Sequence, residues 1–243
     1  MTNTLDGKRI LVVGASEGIG RATGEVAAAD GARVAFTARR GEILDEIVAG
    51  LDGCVAVPCD VSDPQAAMDA VDTAAAALGG LDAVVYVAGI FPIGMLDEMD
   101  ISVWTDVFDV NLFGAAAVTR AAAPHLKASG GRLVFISSNA PERPWPGMVV
   151  YAASKAALDK LVEGWNHEHP DVGATRVVVG PTETSPPAWD MDLAARLHGM
   201  WAAGGYLPEN PQIQQPTDVA DAVCDVLRSN TRITDIRVVP PGV

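Results

Sequence analysis

Residues Val12–Ala22 read "VVGASEGIGRA", and the fold follows from what flanks them. Upstream, "RIL" completes a short apolar run with strand character. Downstream, Ile19–Asp30 has the composition of a helix. Gly14, Gly18 and Gly20 stand at GxxxGxG spacing, with Ser16 and Ile19 between and beside them. Glycines at a strand-to-helix turn allow a tight bend, close backbone approach by a phosphate, and close packing of helix on strand. The free N–H groups at the helix start then face an anion. An ordinary βα turn is the plain alternative. The strand–turn–helix context makes a dinucleotide phosphate site the better one.

The same alternation runs through the chain. "RILVVG", "RVAFTA", "CVAVPC", "AVVYVAG", "RLVFISS" and "TRVVVG" are β-branched runs closed by turn-forming or small polar residues. Such runs suit strands buried on both faces. Helix-like stretches lie between them at Ile19–Asp30, Pro64–Leu78, Ser102–Ala128, Val150–Glu168 and Thr217–Arg228. There is no linker and no break in composition. The pattern predicts an α/β fold: one Rossmann-type domain over 1–243, a doubly wound parallel β-sheet of about seven strands with helices on both faces. Residues 181–216 alone depart from it. Their length and Pro/Gly punctuation predict a substrate-binding lid.

Bulk properties bound the partners. Of 243 residues, 49% are apolar and 20% charged, as in a globular protein, and the formal charge is -14. That sign argues against nucleic acid or an anionic membrane as partner. Cys54, Cys59 and Cys224 lack metal-ligand spacing and read as small buried hydrophobes in a reducing compartment. No metal is expected. The start "MTNTLDGKRI" has no apolar signal region, and the apolar run Ala83–Leu96 is too short to span a bilayer, so the expectation is cytoplasmic.

The end of the second strand bears on the dinucleotide. About 20 residues past the glycines an acidic side chain would hold a ribose 2′-hydroxyl, whereas arginine accommodates a 2′-phosphate. Here the order is Ala38, Arg39, Arg40, with no carboxylate before Glu42. This favours NADP(H), with NAD(H) possible because Glu17 puts negative charge in the glycine turn. Arg39 and Arg40 as a solvated helix start is the simpler alternative. Asp60, with Val61 beside it in "CDVSD", is placed to accept the adenine amino group; Ser62 and Asp63 are better placed as helix caps.

In order, "GASEGIG", "CDVSD", "YVAG", "NLFG", "ISS" and "YAASK" resemble the classical short-chain dehydrogenase/reductase family from about Lys8 to Thr184. The resemblance implies a catalytic set of Asn111, Ser138, Tyr151 and Lys155. Tyr151 would exchange a proton with the substrate oxygen, Ser138 would hold that oxygen, and Asn111 would anchor a water leading to Lys155. An unperturbed tyrosine titrates near 10. A lysine ammonium one turn away is expected to lower that value, and Lys155 would also reach the nicotinamide ribose.

Two phrases depart from the family. Where Asn-Asn-Ala-Gly is usual, the chain has Tyr86-Val87-Ala88-Gly89. Ala88 and Gly89 keep the close approach to adenosine, but the turn's internal hydrogen bonds must come from elsewhere. After the sixth strand the chain reads Gly180-Pro181-Thr182-Glu183-Thr184. Gly180, Thr182 and Thr184 are taken as carboxamide contacts on this resemblance.

Phe91, Ile93, Trp145, Met148, Trp189, Met200 and Trp201 are expected to converge as an apolar wall, with Phe91, Ser138, Trp145, Met148 and Trp189 touching substrate. The predicted activity interconverts a ketone or aldehyde with an alcohol by hydride transfer, on a small, fairly apolar molecule, a bulky lipophilic ketone or secondary alcohol being the natural candidate. A non-catalytic dinucleotide sensor on the same fold is the alternative, and would tolerate loss of Tyr151 or Lys155. A transiently oxidising lyase or epimerase is the third possibility, usually with a larger C-terminal substrate domain. The family resemblance further implies a homodimer or homotetramer paired through the long helices.

Overall fold

A computed structural model describes residues 4–183, 189–207 and 212–241. The chain alternates β1 Arg9–Val13, α1 Gly18–Ala29, β2 Arg33–Ala38, α2 Gly41–Val48, β3 Val55–Pro58, α3 Pro64–Leu78 and β4 Ala83–Tyr86. A long helical rod follows: α4 Ile101–Phe108, a π turn Asp109–Phe113 and α5 Gly114–Ser129. Then come β5 Arg132–Ser138, α6 Val149–Glu168, β6 Gly173–Val179, α7 Met191–Ala203, α8 Pro216–Arg228 and β7 Asp235–Val238.

All paired strands are parallel, in the order β3-β2-β1-β4-β5-β6-β7. The period of two along each strand sorts the apolar side chains into two cores. Leu11, Val13, Val84, Tyr86, Leu133 and Phe135 face α3, α5 and α6. Ile10, Val12, Val34, Phe36, Val85 and Val134 face α1, α2 and α8. Each large side chain so buried contributes about 1.5–3 kcal/mol. This sandwich fixes the carboxyl ends of the strands in one plane.

Local signals set the helix starts. Pro64 is the first residue of α3, and the Asp63 carboxylate caps it, accepting from the N–H of Gln65 (2.9 Å) and Ala66 (3.2 Å). Helix α2 begins at the helix start that Arg39 and Arg40 offered as the simpler alternative; it is short, and its Arg40–Gly41 start has no side-chain cap. The expected single helix Ser102–Ala128 is instead broken at the π turn around Asn111. By length and composition the Ile101–Ser129 rod resembles a membrane span. Here its α5 part packs on α3 and β4, which accounts for its Ala-rich buried stripe.

The strand order reverses between β1 and β4. In such sheets the crevice beyond the strand ends at that point is where ligands bind.

Candidate active site

The crevice is a cleft of about 960 Å³ running from the glycine turn to α6 and α7. At one end, Gly14 has φ +90°, and a Cβ there would lie 2.6 Å from the Ala88 nitrogen. A Cβ on Gly20 would lie 2.1 Å from the Gly14 carbonyl oxygen. Glycine is therefore required at both positions by close backbone approach. Helix α1 starts without a side-chain cap and without acid in its first turn, and Gly18 and Ile19 line the cleft. Its first N–H groups suit a phosphate. These residues fit a dinucleotide.

The charged wall beyond the glycines is organised around Arg40. Its guanidinium donates to Ser16 Oγ (2.8 Å) and pairs with the Glu17 carboxylate (3.0 Å). Arg39 lines the same wall. Asp60 accepts from Ser62 through both N–H (3.0 Å) and Oγ (2.8 Å). Burial pushes its carboxyl up, but the Ser62 bonds and the charge of Arg39 outweigh that and hold it below the usual value.

At the other end lie Tyr151 and Lys155, on one face of α6. Lys155 is 3% exposed and donates to the Ile136 carbonyl at 2.8 Å. Its Nζ lies 5.8 Å from the centre of the Tyr151 ring. Burial pushes the ammonium down to about 8, with the charge of Asp159 acting the other way. Tyr151 is held above its ordinary value by burial, against a lowering hydrogen bond with Ser138; Asp159 adds to the rise. The expected lowering by Lys155 is thus not what sets this phenol. The ammonium is turned to Ile136, and desolvation of the phenolate prevails.

Asn111 is fully buried behind the cleft. Its side chain accepts from Ile90 N–H (2.8 Å) and donates to Ile90 O (3.1 Å) and to Ser154 Oγ (2.9 Å). The amide thus grips the loop after β4 and helix α6 together. In the π turn the Gly114 N–H bonds five residues back to Asp109, an irregularity often found at functional sites. In the Tyr86–Gly89 turn that lacks the family asparagines, the Val87 and Ala88 N–H groups both bond Val13 O (2.8 and 2.9 Å), and the Tyr86 hydroxyl donates to Val110 O at 2.5 Å.

Of the expected contacts, Gly14, Ser16, Gly18, Ile19, Arg39, Arg40, Asp60, Val61, Ala88, Gly89, Phe91, Tyr151, Lys155 and Trp189 line the cleft. Gly20 packs behind the turn. Ser138 meets Tyr151 and accepts from Ala140 N–H at 3.1 Å. Thr184 lies outside the described residues. Gly180 and Thr182 are not in the wall. The Gly180 N–H bonds Val238 O (3.0 Å), while Thr182 Oγ donates to Gly180 O and accepts from Gln214, each at 3.0 Å.

Trp145 and Met148 are also displaced from the expected wall. Trp145 packs on Trp201 (5.4 Å between ring centres) and Tyr206 (5.9 Å), and Trp201 Nε1 donates to Pro146 O at 2.8 Å. These indoles brace α7 on the loop before α6. The wall above Tyr151 is instead Phe91, 4.6 Å from its ring centre, and Trp189, set edge-on to Phe91 at 5.4 Å. Trp189 Nε1 fixes the pair by donating to Phe91 O at 3.1 Å. Pro92, Ile93, Val103, Val110, Asp190 and Leu193 complete it. Ser154, Asp159 and Tyr86 were not singled out for roles in the sequence; their partners are distant in the chain.

A family model described as short chain dehydrogenase matches residues 8–194. The chain belongs to the short-chain dehydrogenase family. The short-chain dehydrogenases are NAD(P)-binding oxidoreductases on this Rossmann-type fold. A short-chain dehydrogenase of Burkholderia cenocepacia solved with NADP superposes with a TM-score of 0.83 and 35% identity, covering 97% of each chain. An alcohol dehydrogenase of Thermococcus sibiricus, complexed with 5-hydroxy-NADP, gives a TM-score of 0.80 at 25% identity over 95% of each. Among curated relatives, 11-beta-hydroxysteroid dehydrogenase A of Sesamum indicum is 37% identical over 185 residues, 73% of this chain. The chain spans about half (53%) of the sesame protein's length. An uncharacterised oxidoreductase of Schizosaccharomyces pombe is 32% identical over 93% of this chain and 94% of its own.

Proposed function

We propose that this short-chain dehydrogenase interconverts a ketone or aldehyde and an alcohol with NADP(H), on a bulky, apolar substrate. The observation that carries this is Tyr151, with Ser138 and Lys155 around it, at one end of a cleft whose other end is the Gly14–Gly20 turn. The bound dinucleotide supplies or accepts the hydride. Tyr151 gives its phenolic proton to the carbonyl oxygen in reduction and takes it back in oxidation. Ser138 orients that oxygen beside the phenol. Lys155, one turn further along α6 and held by Ile136 O, would hold the nicotinamide ribose hydroxyls of the bound dinucleotide beside the phenol. Asn111 fixes the loop over the site against α6, so donor and substrate are held in register.

NADP(H) is supported by Arg39 and Arg40 on the cleft wall, with no acid at the end of β2. The Burkholderia neighbour's NADP agrees with this. An apolar alcohol is supported by Phe91, Ile93, Trp189 and Leu193, and the sesame relative is named for a hydroxysteroid. Pairing of two copies through the α4–α5 rod is supported by Ile101 and Phe113, which are 75% and 52% exposed. A cytoplasmic setting is supported by the free thiols of Cys54, Cys59 and Cys224.

The deciding experiment is Tyr151→Phe with a panel of ketones and secondary alcohols, followed by dinucleotide absorbance. Turnover should fall by at least about 10²-fold while NADPH binding stays within twofold. Unchanged turnover would remove the mechanism.

A further inference from the structure

Strand β5 and helix α6 are joined by one more contact than the proposed chemistry uses. Tyr151, Lys155 and Asp159 follow one another at single turns along α6. Strand β5 ends Ile136-Ser137-Ser138. Lys155 holds Ile136 and Tyr151 meets Ser138. Between them the Ser137 hydroxyl, 2% exposed, donates to Asp159 Oδ1 at 2.5 Å. The second Asp159 oxygen accepts from Arg176 of β6 at 3.1 Å, and Arg176 Nε bonds Asp235 of β7 at 2.5 Å.

The Asp159 side chain is only 14% exposed. A carboxylate taken that far from water needs partners for both oxygens, and Asp159 has one on each side, Ser137 on β5 and Arg176 on β6. These bonds tie the strand end that carries Ser138 to the helix that carries Tyr151 and Lys155.

We propose that Asp159 is a positioning residue for the reaction. Through Ser137 it locks the strand end that carries Ile136 and Ser138 onto the helix that carries Tyr151 and Lys155. One turn from Lys155 along the same helix, its carboxylate also sets the charge around that buried ammonium. This rests on the reading of Tyr151 and Lys155 given above.

The groups around it fix the sign. On α6 they are Tyr151 and Lys155; β6 contributes Arg176 and β7 Asp235. Helix α4 and the π turn, which pack on α6, carry Asp106 and Asp109. Negative charge at Asp159 raises the Lys155 ammonium against its burial. Removing that charge lowers it, and removing the opposing Arg176 raises it.

Three variants separate charge from linkage. Asp159→Asn keeps an acceptor for Ser137 and loses the charge; Ser137→Ala does the reverse; Arg176→Gln leaves Asp159 less neutralised. The readouts are the pH profile of turnover and the NMR titration of ¹³Cε-labelled Lys155, assigned with Lys155→Arg. Asp159→Asn should move both to lower pH by about one unit, and Arg176→Gln should move both upward. Ser137→Ala should lower kcat several-fold with the profile in place and NADPH affinity unchanged. Dinucleotide binding reports that each variant is folded. If no carbonyl is turned over by the parent protein, the reading of Tyr151 fails, while the Lys155 titration still decides Asp159. An unmoved Lys155 titration in folded Asp159→Asn would overturn the proposal.

Discussion

The Tyr86 hydroxyl donates to the Val110 carbonyl at 2.5 Å, one residue before Asn111 in the π turn. The phenol is 1% exposed, and burial keeps it protonated far above the ordinary tyrosine range. Space for it exists because residue 114 is glycine: a Cβ there would come 2.7 Å from the phenolic oxygen. One side chain thereby satisfies a carbonyl in an irregular helix and fills the core under the cleft. Tyr86→Phe leaves the packing and strips the carbonyl of that donor. It should cost about 1–3 kcal/mol, read as a lower denaturant midpoint with unchanged slope. A variant as stable as the parent would show that the bond is dispensable.

Arg40 is held between Ser16 and Glu17, so a 2′-phosphate arriving there competes with Glu17 for the same guanidinium. Glu17→Gln should therefore tighten NADPH several-fold and leave NADH almost unaffected. Arg40→Ala should weaken NADPH by about tenfold or more, a charge-assisted contact being worth about 1.5–3 kcal/mol. Binding titrations with both dinucleotides check this. Equal effects on NADPH and NADH would place the 2′-phosphate elsewhere.

Much of this was legible in the sequence because it is local. The βαβ alternation, the Pro64 helix start and the glycine turn are each written in consecutive residues, and each forms where expected. That Tyr151 and Lys155 share a helix face was legible because one turn separates them, while their roles were implied only by the ordered set of family phrases. What could not be read depends on contacts across the fold. The Phe91–Trp189 pair spans 98 positions, and the Trp145–Trp201 pair spans 56. Nothing in "RPWPGM" says that its indole braces α7 and does not face substrate. The π turn was hidden for the same reason, since its stabilising donor, Tyr86, comes from a strand 24 residues away.

Acid should loosen the chain at a defined place. Asp82 accepts from Arg9 Nε (2.8 Å), Nη2 (2.9 Å) and backbone N–H (2.9 Å), joining the start of β1 to the start of β4. The Arg9 hydrogen bonds and charge, opposed by burial, hold the Asp82 carboxyl below its ordinary 3.8. A carboxyl with a lower value folded than unfolded stabilises fully above the unfolded value and loses that contribution as pH falls through the folded one. The loss therefore begins near pH 3.8 and continues below it. Arg9→Met should remove about 1 kcal/mol at pH 7 and much less at pH 2. Denaturation curves at the two pH values measure the difference, and a penalty independent of pH would reject the assignment.

Phe91 stands 4.6 Å from the Tyr151 ring centre and is pinned by the Trp189 indole, so the two rings form the apolar surface nearest the proposed proton donor. A second tie holds α7 over the cleft: Arg196 pairs with Glu98 through two bonds of 3.0 Å. That pair is half-exposed on both sides and is worth little on its own. The rings should thus dominate recognition. Phe91→Ala removes an aromatic face worth about 1–3 kcal/mol to a bulky ligand. It should lower kcat/KM for large ring ketones about tenfold to 10²-fold, and for short aliphatic ketones far less. NADPH affinity should hold, because Phe91 does not belong to the glycine-turn end. Arg196→Ala should raise KM only about twofold, and that rise should shrink in high salt. Equal losses for large and small ketones in Phe91→Ala would mean that the ring positions Tyr151 and does not contact substrate.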